Sequence, residues 1–157
     1  MTISLSPMPV DRLTVWMLAA NETYRTERIK AGESESEATA NAERSLAQFF
    51  PNGSLADGHV VFDVIGEAQD APVGVLWIGP TTDSPVDWWV WDIEVVESER
   101  GKGYGRQAMR LAEVEANARG AVTLGLNVFG FNTPARSLYE SLGYETTAVQ
   151  MRKSLAE

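Results

Sequence analysis

Arg100-Gly101-Lys102-Gly103-Tyr104-Gly105 is the stretch of this sequence whose composition could do the most specific chemistry. Three glycines at alternate positions let a backbone approach a ligand closely and turn its N–H groups toward it. An amphipathic helix follows directly, and its N-terminus adds partial positive charge. Arg100, Lys102, Arg106 and Arg110 place four basic residues within eleven positions, in a chain of net charge −9. Together these features describe a local anion site suited to a phosphate or pyrophosphate. The known phosphate loops do not match. A P-loop needs Ser or Thr after Gly-Lys, where Gly103 stands, and a dinucleotide fingerprint needs a different glycine spacing. A tight glycine turn with no ligand is the alternative reading.

The elements that must hold this loop can be read from periodicity. Thr2–Ser6 alternates and forms a short strand before Pro7 and Pro9. Leu13, Trp16, Met17, Ala20 and Tyr24 recur at helical spacing, predicting a helix over Val10–Lys30 that ends near Gly32. Ser34 and Glu37 make a capping box for a second helix with a buried stripe of Ala38, Ala42, Ser45, Leu46 and Phe49. Extended segments follow at His59–Glu67, Val73–Ile78 and Asp87–Val96, with Gln69–Pro72 as a turn. The glycine loop opens a helix running to Arg119 with Gly120 as its C′ residue, and Ala121–Phe129 is the next strand. Thr133 is the expected N-cap of a short helix with Pro134 at N1, and Tyr144–Lys153 the closing strand. The order β-α-α-β-β-β-α-β-α-β predicts one mixed α/β domain over residues 1–157, locally parallel at its C-terminal half.

Composition narrows the function. Asp and Glu total 22 against 13 Lys and Arg, which disfavours nucleic acid or an anionic membrane as partner. No basic n-region precedes an apolar block, and the run Val15–Ala20 is far short of the ~20 residues of a membrane span. A soluble, cytoplasmic protein is expected. The absence of cysteine excludes disulfides, thiolate zinc sites and a cysteine nucleophile. His59 has no companion at metal or triad spacing and is expected to be structural, so no metal site is assigned.

The loop matches R/Q-x-x-G-x-G/A, a signature of the GNAT superfamily of N-acetyltransferases, and the likeness extends beyond it. Leu126, Val128, Asn132, Ala135, Tyr139, Gly143 and Tyr144 fit L-x-V-x-x-x-N-x-x-A-x-x-x-Y-x-x-x-G-F/Y, the second block of that family, in the expected order. The sequence therefore resembles a GNAT enzyme from about Asp87 to Lys153 by motif and elsewhere by element order. The resemblance implies acetyl-CoA as acyl donor, a primary amine of a small molecule or protein as acceptor, and direct transfer in a ternary complex. It implies that the main chain of Gly101, Lys102, Gly103, Tyr104 and Gly105 holds the pyrophosphate, with Arg100 and Arg106 beside it. Ile93 and Val95 would pair with the pantetheine arm, the Ile93 N–H polarising the thioester carbonyl. Asn132 would hydrogen-bond the arm, and Tyr139 would protonate the leaving thiolate.

An amine with pKa near 10 must lose a proton before it attacks, which calls for a carboxylate or a water chain leading to one. Asp92 and Glu94 flank Ile93, and alternation sends both to the opposite strand face unless a bulge changes the parity. Either is a base or amine anchor, or both belong to a solvated strand face. Trp77, Trp88, Trp89 and Trp91 line an apolar acceptor pocket, or form core or a dimer contact. Many family members end in a two-strand hairpin, for which this sequence has room for only one strand. The acceptor side is then open, or completed by the region of the first two helices or by a second subunit of a homodimer. A catalytically silent acyl-CoA-binding module of the same fold is the competing function.

Overall fold

The computed structural model describes residues 2–67 and 70–156. Five strands form a single sheet in sequence order: β1 (Ile3–Pro7), β2 (Val60–Gly66), β3 (Gly74–Pro80), β4 (Asp87–Val95) and β5 (Thr123–Leu126). The first four are antiparallel neighbours, and β5 joins β4 in parallel after a helical crossover. Pro7 is accommodated because β1 is an edge strand, where a missing N–H costs no ladder bond. Gln69, in the expected turn before β3, lies outside the described residues.

Period-2 alternation divides the sheet between two helical layers. Phe62, Val64, Leu76 and Ile78 face α3 (Tyr104–Ala118), whose stripe of Ala108, Met109, Ala112 and Ala116 is almost wholly small and so approaches closely. Val61, Val75 and Trp77 face α1 (Val10–Lys30) and α2 (Glu35–Phe49). Ser34 caps α2 as expected, accepting from the Glu37 N–H at 3.1 Å while Glu37 reaches back to the Ser34 N–H. Ala38, Ala42 and Phe49 of its expected stripe are buried. Gly120, with φ +98°, ends α3 as C′, and the Ala121 N–H returns to the Ala116 carbonyl in a Schellman arrangement.

Three expectations are corrected. The N-cap of α4 (Thr133–Ser141) is Asn132, whose Oδ1 accepts from the Ala135 N–H at 3.3 Å, and not Thr133. The strand expected over Ala121–Phe129 is paired only from Thr123 to Leu126, because β4 bends away beyond Val90. Tyr144–Lys153 is not a strand. Among the described residues no main-chain hydrogen bond pairs positions 145–153 with another segment, and strand propensity cannot make a strand without a partner row.

Candidate functional site

One irregularity in β4 organises the site. Trp77 of β3 faces Asp92, yet the next residue, Ile78, faces Val90, so Trp91 is an extra residue in a β-bulge. Before the bulge, Trp88 and Val90 face α3; after it, Ile93 and Val95 do. The pairing of β4 with β5 ends at Val90 and Leu126. From Trp91 to Val95 the strand is therefore held by β3 on one side and has no strand on the other. The two strands splay apart here, leaving a row of main-chain groups for an added extended ligand.

The glycine loop sits at the end of that splayed strand, after one 3₁₀ turn at Glu97–Glu99. Gly101 and Gly103 have φ of +79° and +88°, the left-handed region that glycine enters without strain. The first main-chain bond into α3 is from Gln107 N–H to the Gly103 carbonyl. The N–H groups of Gly101, Lys102, Gly103, Gly105 and Arg106 make no main-chain hydrogen bond among the described residues. They are the orphan donors of a helix N-terminus, open to an anion.

The basic side chains are partly engaged already. Arg100 Nε donates to the Val95 carbonyl at 3.0 Å, Lys102 pairs with Glu99 at 2.9 Å, and Arg106 donates to Ser141 Oγ at 2.8 Å. The Arg106 contact ties α3 to α4, and Leu138 packs beside Gly105. Tyr104 turns its side chain into the core at 1% exposure, so only its main chain belongs to the loop.

Asp92 and Glu94 lie on the face opposite Ile93 and Val95, as alternation requires, because the bulge falls before all four residues. That face looks toward α1. Trp16 Nε1 donates to Glu94 Oε2 at 3.3 Å, and Glu27 of α1 stands close enough to raise the pKa of Asp92. Three carboxylates thus share one neighbourhood. Asp92 is pushed up to about 8, first by burial and then by the charge of Glu94 beside it, while the Ile93 N–H acts in the opposite sense. Glu27 is raised too, by burial and by Glu94.

Tyr139 of α4 is raised above the usual phenol range, first by burial and then by the charge of Asp92. Its ring meets Tyr144 edge-on at 6.2 Å between centroids. Asn132 is exposed, and its Oδ1 is used in capping. The structure therefore brings Asp92, Ile93, Val95, the glycine loop and Tyr139 to the two sides of one splay.

The tryptophans divide. Trp88 is core on the α3 face, its indole N–H held by the Pro85 carbonyl at 3.1 Å. Trp77 and Trp91 belong to an aromatic cluster with Phe49, His59 and Trp16 on the other face. His59 is the structural residue expected: Nδ1 accepts from Trp77 Nε1 at 3.0 Å, and burial holds its pKa down. Trp89 covers Gly125 so closely that a Cβ there would collide with the ring. Among the described residues no cluster of three or more ligating side chains could hold a metal ion, and no helix is long and apolar enough to cross a membrane.

Sequence reading missed Trp16 as a partner of Glu94 and missed Glu27 altogether. The signal was present: eleven residues are about three helical turns, so positions 16 and 27 share a face of α1.

Comparison with known proteins agrees with this arrangement. An N-acetyltransferase of Bacillus subtilis (strain 168) named YycN, uncharacterised, is 31% identical over 157 residues, covering 99% of this chain and 100% of its own. Its crystal structure superposes with a TM-score of 0.87 at 30% identity, covering 99% of this chain and 100% of that one. A streptothricin acetyltransferase of Streptomyces lavendulae is 34% identical over 114 residues, which is 66% of this chain and 59% of that protein. The model of the Acetyltransferase (GNAT) family matches residues 21–144. With a family model matching most of the chain and a relative alike over its whole length, the chain belongs to the GNAT family of acetyltransferases.

Proposed function

We propose that the chain transfers an acetyl group from acetyl-CoA to a primary amine directly, within a ternary complex. The observation that carries this reading is the splay after Val90, with Asp92 on the strand and Tyr139 on α4 within electrostatic reach of each other. The pantetheine arm would lie along Ile93 and Val95 as an added strand, its pyrophosphate on the N–H groups from Gly101 to Gly105, with Arg100 and Arg106 alongside. Asn132 offers its amide nitrogen to the arm while its oxygen caps α4. The Ile93 N–H stabilises charge developing on the thioester oxygen. Tyr139, raised and so fully protonated at neutral pH, gives its proton to the departing thiolate.

The acceptor enters from the α1 face, where Glu27, Asp92 and Glu94 gather beside Trp16 and Trp91. An alkylammonium brings the positive charge this cluster lacks. Its proton must then pass to a base, and the match in pKa decides the cost. From an amine near 10.4 to an ordinary aspartate near 3.9 the transfer is uphill by roughly 6.5 units, or ~9 kcal/mol. To Asp92, at about 8, it is uphill by roughly 2.4 units, or ~3 kcal/mol. Asp92 is therefore the base and Glu94 the neighbour that tunes it. The name of the Streptomyces relative, an acetyltransferase for streptothricin, suits an amine-bearing acceptor of this kind.

Titration calorimetry with acetyl-CoA, followed by an acetylation screen over amines and peptides, tests the reading. Binding of acetyl-CoA is expected, with turnover that Tyr139→Phe lowers at least tenfold while the Kd for CoA stays unchanged. No binding at millimolar acetyl-CoA refutes the donor assignment. Binding without turnover of any amine refutes catalysis and leaves a silent acyl-CoA-binding module.

A further inference from the structure

Among the 13 basic residues only three, Lys30, Lys102 and Lys153, are lysine, and the rest are arginine. The difference is chemical. A lysine amine that has lost its proton is a nucleophile, whereas a guanidinium keeps its charge at any ordinary pH. The basic residues of α1 are Arg12, Arg25, Arg28 and Lys30, so the helix that faces Asp92 and Glu94 carries a single lysine. The other two lysines lie elsewhere. Lys102 pairs with Glu99 at 2.9 Å in the glycine loop, the pyrophosphate end of the proposed donor site. Lys153 stands on the segment after α4, next to Arg152, which pairs with Glu37 of α2 at 3.9 Å.

Lys30 bridges the two sides of the splay. Glu27 precedes it by about one turn of α1. Burial and Glu94 push Glu27 up, and the charge of Lys30 pulls it back down. Glu27 in turn acts on Asp92. Lys30 Nζ lies 4.2 Å from the centroid of the Phe131 ring. Phe131 belongs to the connection between β5 and α4, immediately before Asn132, and its ring is stacked on Phe129 at 5.5 Å and 6°. The lysine therefore joins α1, which covers β4, to the chain leaving β5. Phe131 is 41% exposed. A cation–π contact open to water is weak, so the flexible lysine stem can leave the ring and swing within the site.

We propose that Lys30 is an acetylation site of the chain itself, its ε-amine taking the acetyl group within its own molecule when no outside amine competes. This rests on the acetyl-transfer reading above and adds a tethered acceptor to it. Its position carries the inference. Lys30 is the one lysine of α1, and it stands against Phe131, whose neighbour Asn132 is assigned to the pantetheine arm. The ammonium gives one proton to Asp92, and its nitrogen then bonds to the acetyl carbon as the carbon–sulfur bond breaks. Tyr139 gives its proton to the departing sulfur and regains one from the nitrogen. The products are the Lys30 acetamide, the CoA thiol and one proton released from Asp92 to water. The acetamide carries no charge, so modification removes both the hold on Phe131 and the cation beside Glu27.

The full chain is incubated with acetyl-CoA alone, and its lysines are followed by intact mass and peptide mapping. One acetyl group at Lys30 is expected, at least tenfold faster than at Lys102 or Lys153, whereas acetic anhydride, which needs no site, modifies all three. The rate per molecule is expected not to change with protein concentration, and Tyr139→Phe to lower it at least tenfold. Lys30→Arg keeps a cation over Phe131 and is expected to gain no acetyl group. Equal rates at the three lysines, a rate undiminished in urea, or one that rises with protein concentration overturns the proposal. So does an unmodified Lys30 in a chain that acetylates an added amine, and acetyl transfer itself then stands. A chain that acetylates neither Lys30 nor any added amine refutes both.

Discussion

Glu94→Gln should move the pH dependence of acetyl transfer downward. Asp92 is held near 8 first by burial and next by Glu94. Residues i and i+2 on one strand face stand about 6.6 Å apart. At that distance two unit charges repel by ~2.5 kcal/mol at an effective dielectric near 20, or about 1.8 pKa units. Glu94 is exposed, so solvent screening reduces the effect, and a downward shift of about one unit is expected. The sign follows from the chemistry. A base works deprotonated, so kcat/KM rises with pH through its pKa, and a lower pKa moves that rise toward acid. The assay is free-thiol release from acetyl-CoA between pH 6 and 10, which has no background in a protein without cysteine. Acceptors with different amine pKa values separate the enzyme's ionisation from the substrate's. An unmoved midpoint, or one that moves up, refutes Glu94 as the group that tunes Asp92. Retention of the wild-type limb in Asp92→Asn refutes Asp92 as the base.

Three further outcomes follow from the same geometry. Asp92→Asn should lower kcat by ~10²–10⁴, yet stabilise the fold above pH 8. A carboxyl raised in the folded state loses stability as pH climbs from its unfolded value toward 8, and the amide has no such slope. Thermal melts should therefore show a larger gain at pH 8.5 than at pH 5, and equal gains at both would refute the shift. Gly103→Ala adds a Cβ that meets nothing within 4 Å but holds alanine at φ +88°, so a loss of about 1 kcal/mol in stability is expected. Calorimetry should show weaker acetyl-CoA binding as well, and an unchanged Kd would mean the loop's conformation is not used. Arg12→Ala leaves Asp63 buried, with Oδ1 already unpartnered and Oδ2 deprived of its 2.6 Å bond. With Arg12 half in water, denaturant titration should register a loss of ~1–3 kcal/mol, largely recovered when Asp63→Val is added.

Much of this architecture was legible because the relevant signals are local. The Ser34–Glu37 capping box and the Gly120 terminus each specify their geometry within a few residues. The two motif blocks pointed to the same enzyme family that the comparisons show. What failed was not local. Ala121–Phe129 is a good strand by composition, but pairing stops at Leu126 because β4 acquires an extra residue at Trp91. No property of Leu126 or Asn127 announces that. Thr133 and Asn132 are both acceptable caps, and what separates them is that Asn132 has a non-helical backbone and an Oδ1 that accepts from the Ala135 N–H.

The carboxylates show why a site is harder to read than a fold. Asp92 and Glu94 were visible as a pair, but alternation alone left them equally suited to a solvated face. What decides between the readings is the helix opposite. Trp16 fastens Glu94, and Glu27, three turns further along α1, brings a third negative charge toward Asp92. Each residue taken singly has an ordinary role: a stripe tryptophan, a helix-surface glutamate, a strand aspartate. Their joint effect is a carboxyl kept protonated near neutral pH in a place where an ammonium would restore its charge. That property depends on the packing of α1 against β4: the spacing of Trp16 and Glu27 puts them on one face of the helix, but not against Asp92. It also separates catalysis from binding in this chain. The proposed anion site rests on main-chain donors in one loop, whereas the proposed base rests on three carboxyl groups on two elements. Loosening α1 against the sheet should therefore impair proton transfer before it impairs acetyl-CoA binding.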